Sequence, residues 1–293
     1  MEAPYASIPW NFAALPEEFS SYESAGVAIL PIPYDATTCY GGGARGGPQA
    51  VIEASRNMEL FDLELEREPF RLGIATLPEM ERDSSGPEAM MERIYEATKK
   101  VLSDGKFLVS IGGEHSVTLP LVRAHREICP SLSVLSLDAH LDLRDSYEGS
   151  RWSHACVTRR LVEMGLNVVC LGARTASTEE FEFAKASGFQ FFSPETLRLS
   201  DARYEATFSR LSQEVYLTVD LDVFDPAFLP AVGTPEPGGL TWQEVISILR
   251  TLARERTVRG FDVVELAPIP GQVVSQFLAA KLIYKALGYF LGR

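Results

Sequence analysis

Two short stretches of this chain combine carboxylates and imidazoles directly after β-rich runs. The stretch 133–145 reads SVLSLDAHLDLRD and places Asp138, His140 and Asp142 at every second position. Because strand side chains alternate between two faces, a continuing strand would point these residues in the same direction. The stretch 214–226 reads EVYLTVDLDVFDP and repeats the spacing with Asp220 and Asp222. Carboxylates at the ends of two apolar strands would repel one another strongly if left dry and unpaired, and a bound cation is the simplest remedy.

A third motif adds a ligand to this set. His115 follows an apolar run and two glycines in FLVSIGGEHS, so six candidate metal ligands result: His115, Asp138, His140, Asp142, Asp220 and Asp222. Six side chains exceed one tetrahedral zinc site and suit two divalent ions that share carboxylates. The set is rich in oxygen, has two imidazoles and lacks a thiolate, which favours Mn²⁺.

The charge of such a site predicts its substrate class. Four aspartates contribute −4, two divalent ions +4 and a bridging hydroxide −1, so the assembled site carries about −1 and attracts a cation. Two ions also lower the pKa of a shared water, which provides a hydroxide nucleophile near neutral pH.

The elements that position these residues alternate between strand and helix. Apolar runs predict strands at 27–33, 107–112, 133–140, 167–172, 189–192, 215–223 and 258–266. Amphipathic periodicity and caps predict helices at 48–60, 87–102, 118–128, 153–164, after the Ser177 and Thr241 capping boxes, and at 275–291. Near-continuous apolar strands indicate a parallel sheet covered on both faces, with ligands at the carboxyl ends of its strands. The Gly-rich loop 34–48 is either part of the site mouth or a flexible connection.

Length, composition and charge predict the number of domains, the cellular compartment and the classes of partner. The 293 residues, 46% of them hydrophobic, fit a single domain over 1–293 with an irregular segment at 1–25. Four scattered cysteines without a CxxC pair predict reduced thiols in a cytoplasmic protein. No secretory signal and no apolar run of about 18 residues is present, so we expect no membrane partner. A net charge of −13 argues against a nucleic-acid partner.

Four motifs together resemble a known family. GGEHS, DAHLD, TVDLDVFDPAFLP and DVVELAP are similar to the motifs of the arginase–agmatinase (ureohydrolase) family, in the same order from Val27 to the C-terminus. The resemblance implies a three-layer αβα sandwich with a central, mainly parallel sheet, two Mn²⁺ per chain, and a homotrimer or homohexamer. It implies that one ion is held by His115, Asp138, Asp142 and Asp220, and the other by Asp138, His140, Asp220 and Asp222. Asp138 and Asp220 would bridge.

The resemblance also implies two catalytic roles. Glu265 matches the carboxylate that binds the substrate guanidinium. The alternative is a purely structural role, in which Glu265 pairs with a neighbouring arginine. His154 matches the histidine that protonates the leaving amine, at a predicted helix start where the dipole lowers an imidazole pKa. Many relatives have Gly after this histidine, and this chain has Ala155. His125 has no motif around it and is expected to be a surface histidine.

Arg144 bears on the choice of substrate. Arginases typically have Asn at this place, two residues after DAHxD, and the GGGARGGP and GTPEPGGL segments are more similar to agmatinases. The predicted substrate is therefore a small cationic guanidine, with agmatine first, giving putrescine for polyamine biosynthesis and urea. N1-aminopropylagmatine and guanidinobutyrate are close alternatives, the latter because Arg144 could bind its carboxylate. Two alternatives from other classes are a single-zinc, deacetylase-like amidohydrolase and an inactive relative.

Overall fold

A single eight-stranded sheet forms the centre of the computed structural model, which describes residues 7–199, 204 and 207–292. The strands are β1 (Val27–Ile32), β2 (Ile74–Thr76), β3 (Phe107–Gly112), β4 (Ser133–Leu137), β5 (Asn167–Leu171), β6 (Gln190–Phe192), β7 (Glu214–Asp220) and β8 (Thr257–Val264). Their order across the sheet is β2-β1-β3-β8-β7-β4-β5-β6, and every pairing of these strands is parallel.

Helices cover both faces of this sheet. They are α1 (Glu17–Ser20), α2 (Gly47–Ser55), α3 (Pro87–Ser103), α4 (Thr118–Ile128), α5 (Val157–Glu163), α6 (Thr178–Ser187), α7 (Pro194–Arg198), α8 (Trp242–Glu255) and α9 (Val274–Leu291). One apolar cluster joins the sheet to α2, α8 and α9, and a second joins its other face to α3, α4 and α5. The predicted three-layer αβα architecture is therefore confirmed.

Alternate residues of one strand enter the two clusters, as a sheet buried on both faces requires. In β1, Val27 and Ile29 belong to the first cluster, and Ala28 and Leu30 belong to the second. This arrangement explains why the strands read as continuous apolar runs. None of the described helices has the length and apolar character needed to cross a bilayer.

The predicted elements match the structure most closely where caps or continuous apolar runs define them. The ranges of β3 and α4 agree with the prediction, and both capping boxes, Ser177 with Glu180 and Thr241 with Glu244, are formed. The three-residue strand β2 and the short helix α7 were not predicted. Within residues 1–25, expected to be irregular, the described part contains a 3₁₀ turn at Phe12–Ala14 and the single turn of α1.

One expectation about the site motif was wrong. Strand β4 ends at Leu137, so Asp138, His140 and Asp142 lie in the loop that follows rather than on a continuing strand. The Asp138 side chain accepts a hydrogen bond from the His140 backbone N–H at 2.6 Å. Such an Asx turn gives the backbone an alternative to the strand ladder, and it ends the strand at that point.

Candidate metal centre and active site

The carboxyl ends of four adjacent strands bring the predicted site residues together. His115 follows β3, the DAHLD residues follow β4, Asp220 ends β7, and Glu265 follows β8. Asp222 lies in the 3₁₀ turn Leu221–Val223 directly after β7. Because β3, β8, β7 and β4 are neighbours in that order, residues up to 150 positions apart in the chain share one edge of the sheet.

Three of the aspartates use their two oxygens in the same way. In each, Oδ1 accepts a backbone hydrogen bond: Asp138 from His140 at 2.6 Å, Asp220 from Asp222 at 2.9 Å, and Asp222 from Ala139 at 3.0 Å. In each, Oδ2 lies near an imidazole Nδ1 instead: 3.2 Å and 3.3 Å from His115 for Asp138 and Asp220, and 2.8 Å from His140 for Asp222. The backbone therefore fixes the orientation of each carboxylate and leaves one oxygen for the centre.

The surroundings of His115 fit a metal ion better than a hydrogen bond. Its Nδ1 lies 3.2–3.3 Å from the Oδ2 atoms of Asp138, Asp142 and Asp220. Nevertheless Nδ1 and Asp138 Oδ2 are both fully buried with no aligned hydrogen-bond partner. Lone pairs that converge without a proton between them are what a cation requires. The ligand atoms of His115, Asp138 and Asp220 form one group within 4.8 Å of one another, and those of Asp138, His140 and Asp222 form another.

Asp138 thus belongs to both groups, whereas Asp220 belongs to one. Asp142 lies outside both groups but contacts the same His115 nitrogen. The six predicted ligands are therefore brought together.

A second row of buried side chains fixes the tautomer of His115. Thr218 Oγ1 donates to Asp262 Oδ1 at 2.6 Å and lies 3.0 Å from His115 Nε2. Since that hydroxyl has given its one proton to the carboxylate, it accepts from Nε2–H, which leaves the Nδ1 lone pair free for a metal. Tyr216 donates to the other oxygen of Asp262 at 2.8 Å, so this buried carboxylate has a partner on each oxygen.

The electrostatics also favour a cation. Burial, together with neighbouring carboxylates, raises the pKa of Asp142 to about 7 and that of Asp220 well above its usual value. For Asp138, the effect of burial is outweighed by the nearby imidazoles of His115 and His140, and the pKa is lowered. The protein alone therefore does not hold all of these carboxylates ionised at neutral pH, whereas divalent ions would.

Two site residues adopt a backbone conformation that non-glycine residues rarely use. Asp142 has φ 51° and Glu265 has φ 67°, both in the left-handed region. Such residues persist only where the surroundings hold them. The Asp142 carbonyl accepts from Arg159 N–H at 3.0 Å, and the Glu265 N–H donates to Gly113 O at 2.7 Å. Gly113 is itself required, because a Cβ there would collide with the carbonyl of Tyr34.

Glu265 lines the cavity as a buried carboxylate. Its Oε1 accepts the backbone N–H of His115 at 2.6 Å, and burial together with nearby Glu114 raises its pKa to about 8. Within the described residues no arginine or lysine forms an ion pair with Glu265, so the alternative of a structural pair with a neighbouring arginine is not observed.

His154 lies in the 3₁₀ turn His154–Cys156, which Ser153 caps. Its Nδ1 is 3.4 Å from Thr37 Oγ1 and 3.3 Å from Ser153 Oγ, and its Nε2 is 3.6 Å from Cys39 Sγ. Burial lowers its pKa to about 4, so the ring is neutral near pH 7. Glu114 in turn binds the backbone N–H and hydroxyl of Thr37 at 2.6 Å and 2.7 Å.

A cavity of about 230 Å³ lies between these elements, and its lining residues include His115, His140, Asp142, His154, Asp220, Asp222, Glu265, Arg144, Tyr147, Glu180 and Thr234. Arg144 does not pair with Asp145, which instead binds Arg151 and Arg160. Its Nε lies 3.8 Å from Glu180, and its guanidinium lies over the Tyr147 ring at 4.8 Å.

Comparison with known proteins decides the family. The model of the Arginase family matches residues 25–288. The chain belongs to the arginase family. It is 41% identical to the N(1)-aminopropylagmatine ureohydrolase of Synechocystis sp., with 96% of each chain covered, and 37% identical to the agmatinase of Pyrococcus horikoshii, covering 91% of this chain and 92% of that one.

Among solved structures, the agmatine ureohydrolase of Thermoplasma volcanium matches with a TM-score of 0.86 at 33% identity, covering 96% of this chain and 94% of that one. The predicted resemblance to the ureohydrolases, agmatinases among them, is confirmed.

Sequence reasoning missed the residues that support the site of this arginase-family chain. Thr37 and Thr218 carry no signal that separates them from other threonines. Asp262 did carry one, because it is a lone carboxylate inside an apolar strand and such a residue needs buried partners. The expectation for His125 was wrong: it is fully buried, donates from Nδ1 to Leu121 O at 2.7 Å, and packs edge-on against Tyr216.

Proposed function

We propose that this chain hydrolyses a guanidino-alkylamine to urea and an amine, with agmatine as the first candidate and putrescine as its product. The observation that carries the proposal is Glu265, a buried carboxylate without a cationic partner among the described residues, on the wall beside the two ligand groups. A guanidinium offers two parallel N–H donors to such a carboxylate. Arg144 and Glu180 offset each other, so an incoming guanidinium meets no competing cation at Glu265 and would favour the ionised form of this carboxyl group.

Two Mn²⁺ per chain are part of this proposal. His115, Asp138, Asp142 and Asp220 would hold one ion, and Asp138, His140, Asp220 and Asp222 the other. The shared Asp138 supports a pair of ions, and the second role of Asp220 rests on the resemblance to the family. When bound, a divalent pair supplies Lewis acidity and makes a water molecule acidic enough to react near neutral pH. The oxygen-rich donor set favours manganese over softer ions.

The protein side chains would orient the substrate and move the proton. Glu265 fixes the guanidinium carbon above the ligand groups, which turns attack into a nearly unimolecular step. His154, neutral near pH 7, takes up a proton at one ring nitrogen and delivers it to the departing amine. Thr37 and Ser153 hold that ring by their contacts with Nδ1.

The substrate tail leaves two close alternatives. N1-aminopropylagmatine has support because three relatives at 38–41% identity carry that activity in their names. Guanidinobutyrate would require Arg144 to leave Glu180 and Tyr147 and bind a carboxylate. A single-zinc amidohydrolase or an inactive relative has less support, since all six candidate ligands lie together. We further propose one ureohydrolase domain over 1–293 that assembles as a homotrimer or homohexamer in the cytoplasm.

A urea-release assay over a panel of guanidines with added Mn²⁺ tests the function. Agmatine should exceed arginine in kcat/KM by at least about 10²-fold, because an arginine carboxylate would be desolvated without a partner. Arginine equal to agmatine would refute this preference, and guanidinobutyrate or N1-aminopropylagmatine in first place would replace agmatine. Metal analysis of the same sample should give about two Mn per chain. If manganese is bound and no guanidine in the panel releases urea, the proposed ureohydrolase activity is refuted.

A further inference from the structure

Cys39 and His154 place two soft ligand atoms together at the cavity, apart from the six candidate ligands of the metal pair. Of the four cysteines, Cys39 alone is exposed, and it lines the cavity. Its Sγ lies 3.6 Å from Nε2 of His154. This thiol and imidazole have no part in the proposed metal pair.

The separation of these atoms suits a tetrahedral ion. Zinc binds thiolate sulfur at about 2.3 Å and imidazole nitrogen at about 2.0–2.1 Å. At a tetrahedral angle, two such ligand atoms are about 3.6 Å apart, which equals the separation of Cys39 Sγ and His154 Nε2. A weak S–H···N hydrogen bond also spans this distance, so the deciding experiment must detect the metal itself.

The far side of the imidazole is already held by protein. Nδ1 faces the hydroxyls of Thr37 and Ser153, and the His154 backbone N–H donates to Thr37 Oγ1 at 3.0 Å. Glu114 fixes Thr37 in turn. The Thr37 hydroxyl donates to Glu114 and therefore accepts from Nδ1–H, so the lone pair of Nε2 points toward Cys39.

We propose that Cys39 and His154 form a separate, inhibitory site for a thiophilic divalent ion such as Zn²⁺ or Cd²⁺, with water completing the coordination. Binding forms a metal–Sγ bond and a metal–Nε2 bond and releases the thiol proton to solvent, without any change of oxidation state. The thiolate selects against Mn²⁺, so the two kinds of site take different metals. Inhibition follows because a metal-bound Nε2 cannot take up and deliver a proton; this consequence, unlike the binding, rests on the proposed function.

Cadmium titration of the manganese-loaded full chain tests the binding. The wild type should gain an ultraviolet thiolate-to-cadmium charge-transfer band that saturates at one Cd²⁺ per chain. Cys39→Ser should lose the band, and His154→Ala should weaken cadmium binding by at least about tenfold. The matched control Cys129→Ser, which changes a buried thiol away from the cavity, should behave as wild type.

Zinc inhibition of urea release tests the consequence, with each variant compared with its own uninhibited rate. Wild type should be inhibited at zinc concentrations at least about tenfold lower than Cys39→Ser. A band that persists in Cys39→Ser, or unweakened binding in His154→Ala, would overturn the site. Equal zinc sensitivity of wild type and Cys39→Ser would overturn the inhibitory role. If no guanidine yields urea, the proposed function fails while the cadmium titration still decides the site.

Discussion

In three site aspartates, Oδ1 accepts a backbone hydrogen bond and Oδ2 faces the candidate metal centre. A mutation can therefore change the metal ligand while it keeps the backbone acceptor. Asp220→Asn can keep the acceptor for the Asp222 N–H while an amide replaces Oδ2. We expect a folded protein with reduced manganese content and loss of urea release, measured by metal analysis and turnover. Asp145→Asn, which removes a nearby exposed carboxylate, is the control. Full metal content and normal turnover in Asp220→Asn would show that this carboxylate is not a ligand.

Thr218 should matter for metal affinity although it is not among the predicted ligands. Thr218→Val keeps the shape of the side chain but removes the acceptor for His115 Nε2 and one partner of Asp262. We expect manganese affinity to fall by about 10–100-fold, the usual effect of losing such a support. Competition with a chelator measures it. Thr118→Val, which removes a hydroxyl 3.2 Å from Thr218 Oγ1, should lower manganese affinity less; equal losses would show that Thr218 does not set the tautomer of His115.

Among the secondary-structure elements, the loops after β5 and β7 are joined by the side chain of Arg174. Its guanidinium donates to backbone carbonyls of both loops and of the segment that follows Thr234: Gly172, Asp222, Val223, Phe224, Glu236 and Pro237. One side chain therefore fixes the backbone of a predicted metal ligand and the loop on the opposite side of it.

Arg174→Met should consequently destabilise both the fold and the site. The apolar part of the side chain remains, but several carbonyls lose a charged donor, so we expect a loss of at least about 2 kcal/mol in the free energy of unfolding. Urea denaturation measures this loss, and manganese content reports the displacement of Asp222. Arg93→Met, which breaks exposed ion pairs, should cost less than about 1 kcal/mol. Similar losses in the two variants would contradict the role of Arg174.

The sequence is informative about elements where one periodicity or cap decides them. β3 and α4 have such signals, and so do the ligand motifs, because their residue types are rare at the ends of buried strands. The edge strand β2 is three residues long, too short for a pattern. The DAHLD loop begins with the local Asx turn at Asp138 and is held by the Ala139–Asp222 hydrogen bond to a distant segment. The burial of His125 depends on the distant Tyr216 ring, and local patterns do not contain either distant contact.

At the scale of the whole molecule, His125 fastens α4 to the sheet. Its ring packs on Tyr216 of β7 and lies where a Cβ of Gly260 in β8 would be, so that position of the strand requires glycine. The interior location keeps the ring neutral, because burial lowers its pKa from 6.5 to about 4.

This lowered pKa predicts part of the acid sensitivity of the protein. Between pH 6.5 and 4 the unfolded chain binds a proton at His125 that the folded chain does not, so stability falls as the pH is lowered through this window. The contribution reaches about 3 kcal/mol at its lower end. His125→Leu should reduce the difference in unfolding free energy between pH 6.5 and 4.5, measured by urea denaturation. An unchanged difference would assign the acid sensitivity to other groups.

The central position of β8 has a consequence for how the protein is made. β8 is the last of the described strands along the chain, and it pairs with β3 on one side and β7 on the other. While the ribosome is still synthesising residues before Thr257, β3 and β7 have no partner between them, and His115 and Asp220 belong to separate halves of an open sheet. Such distant pairings make folding slow and leave strand edges exposed to other nascent chains. We therefore expect the proposed metal ions to bind only after β8 has been synthesised and has paired with β3 and β7.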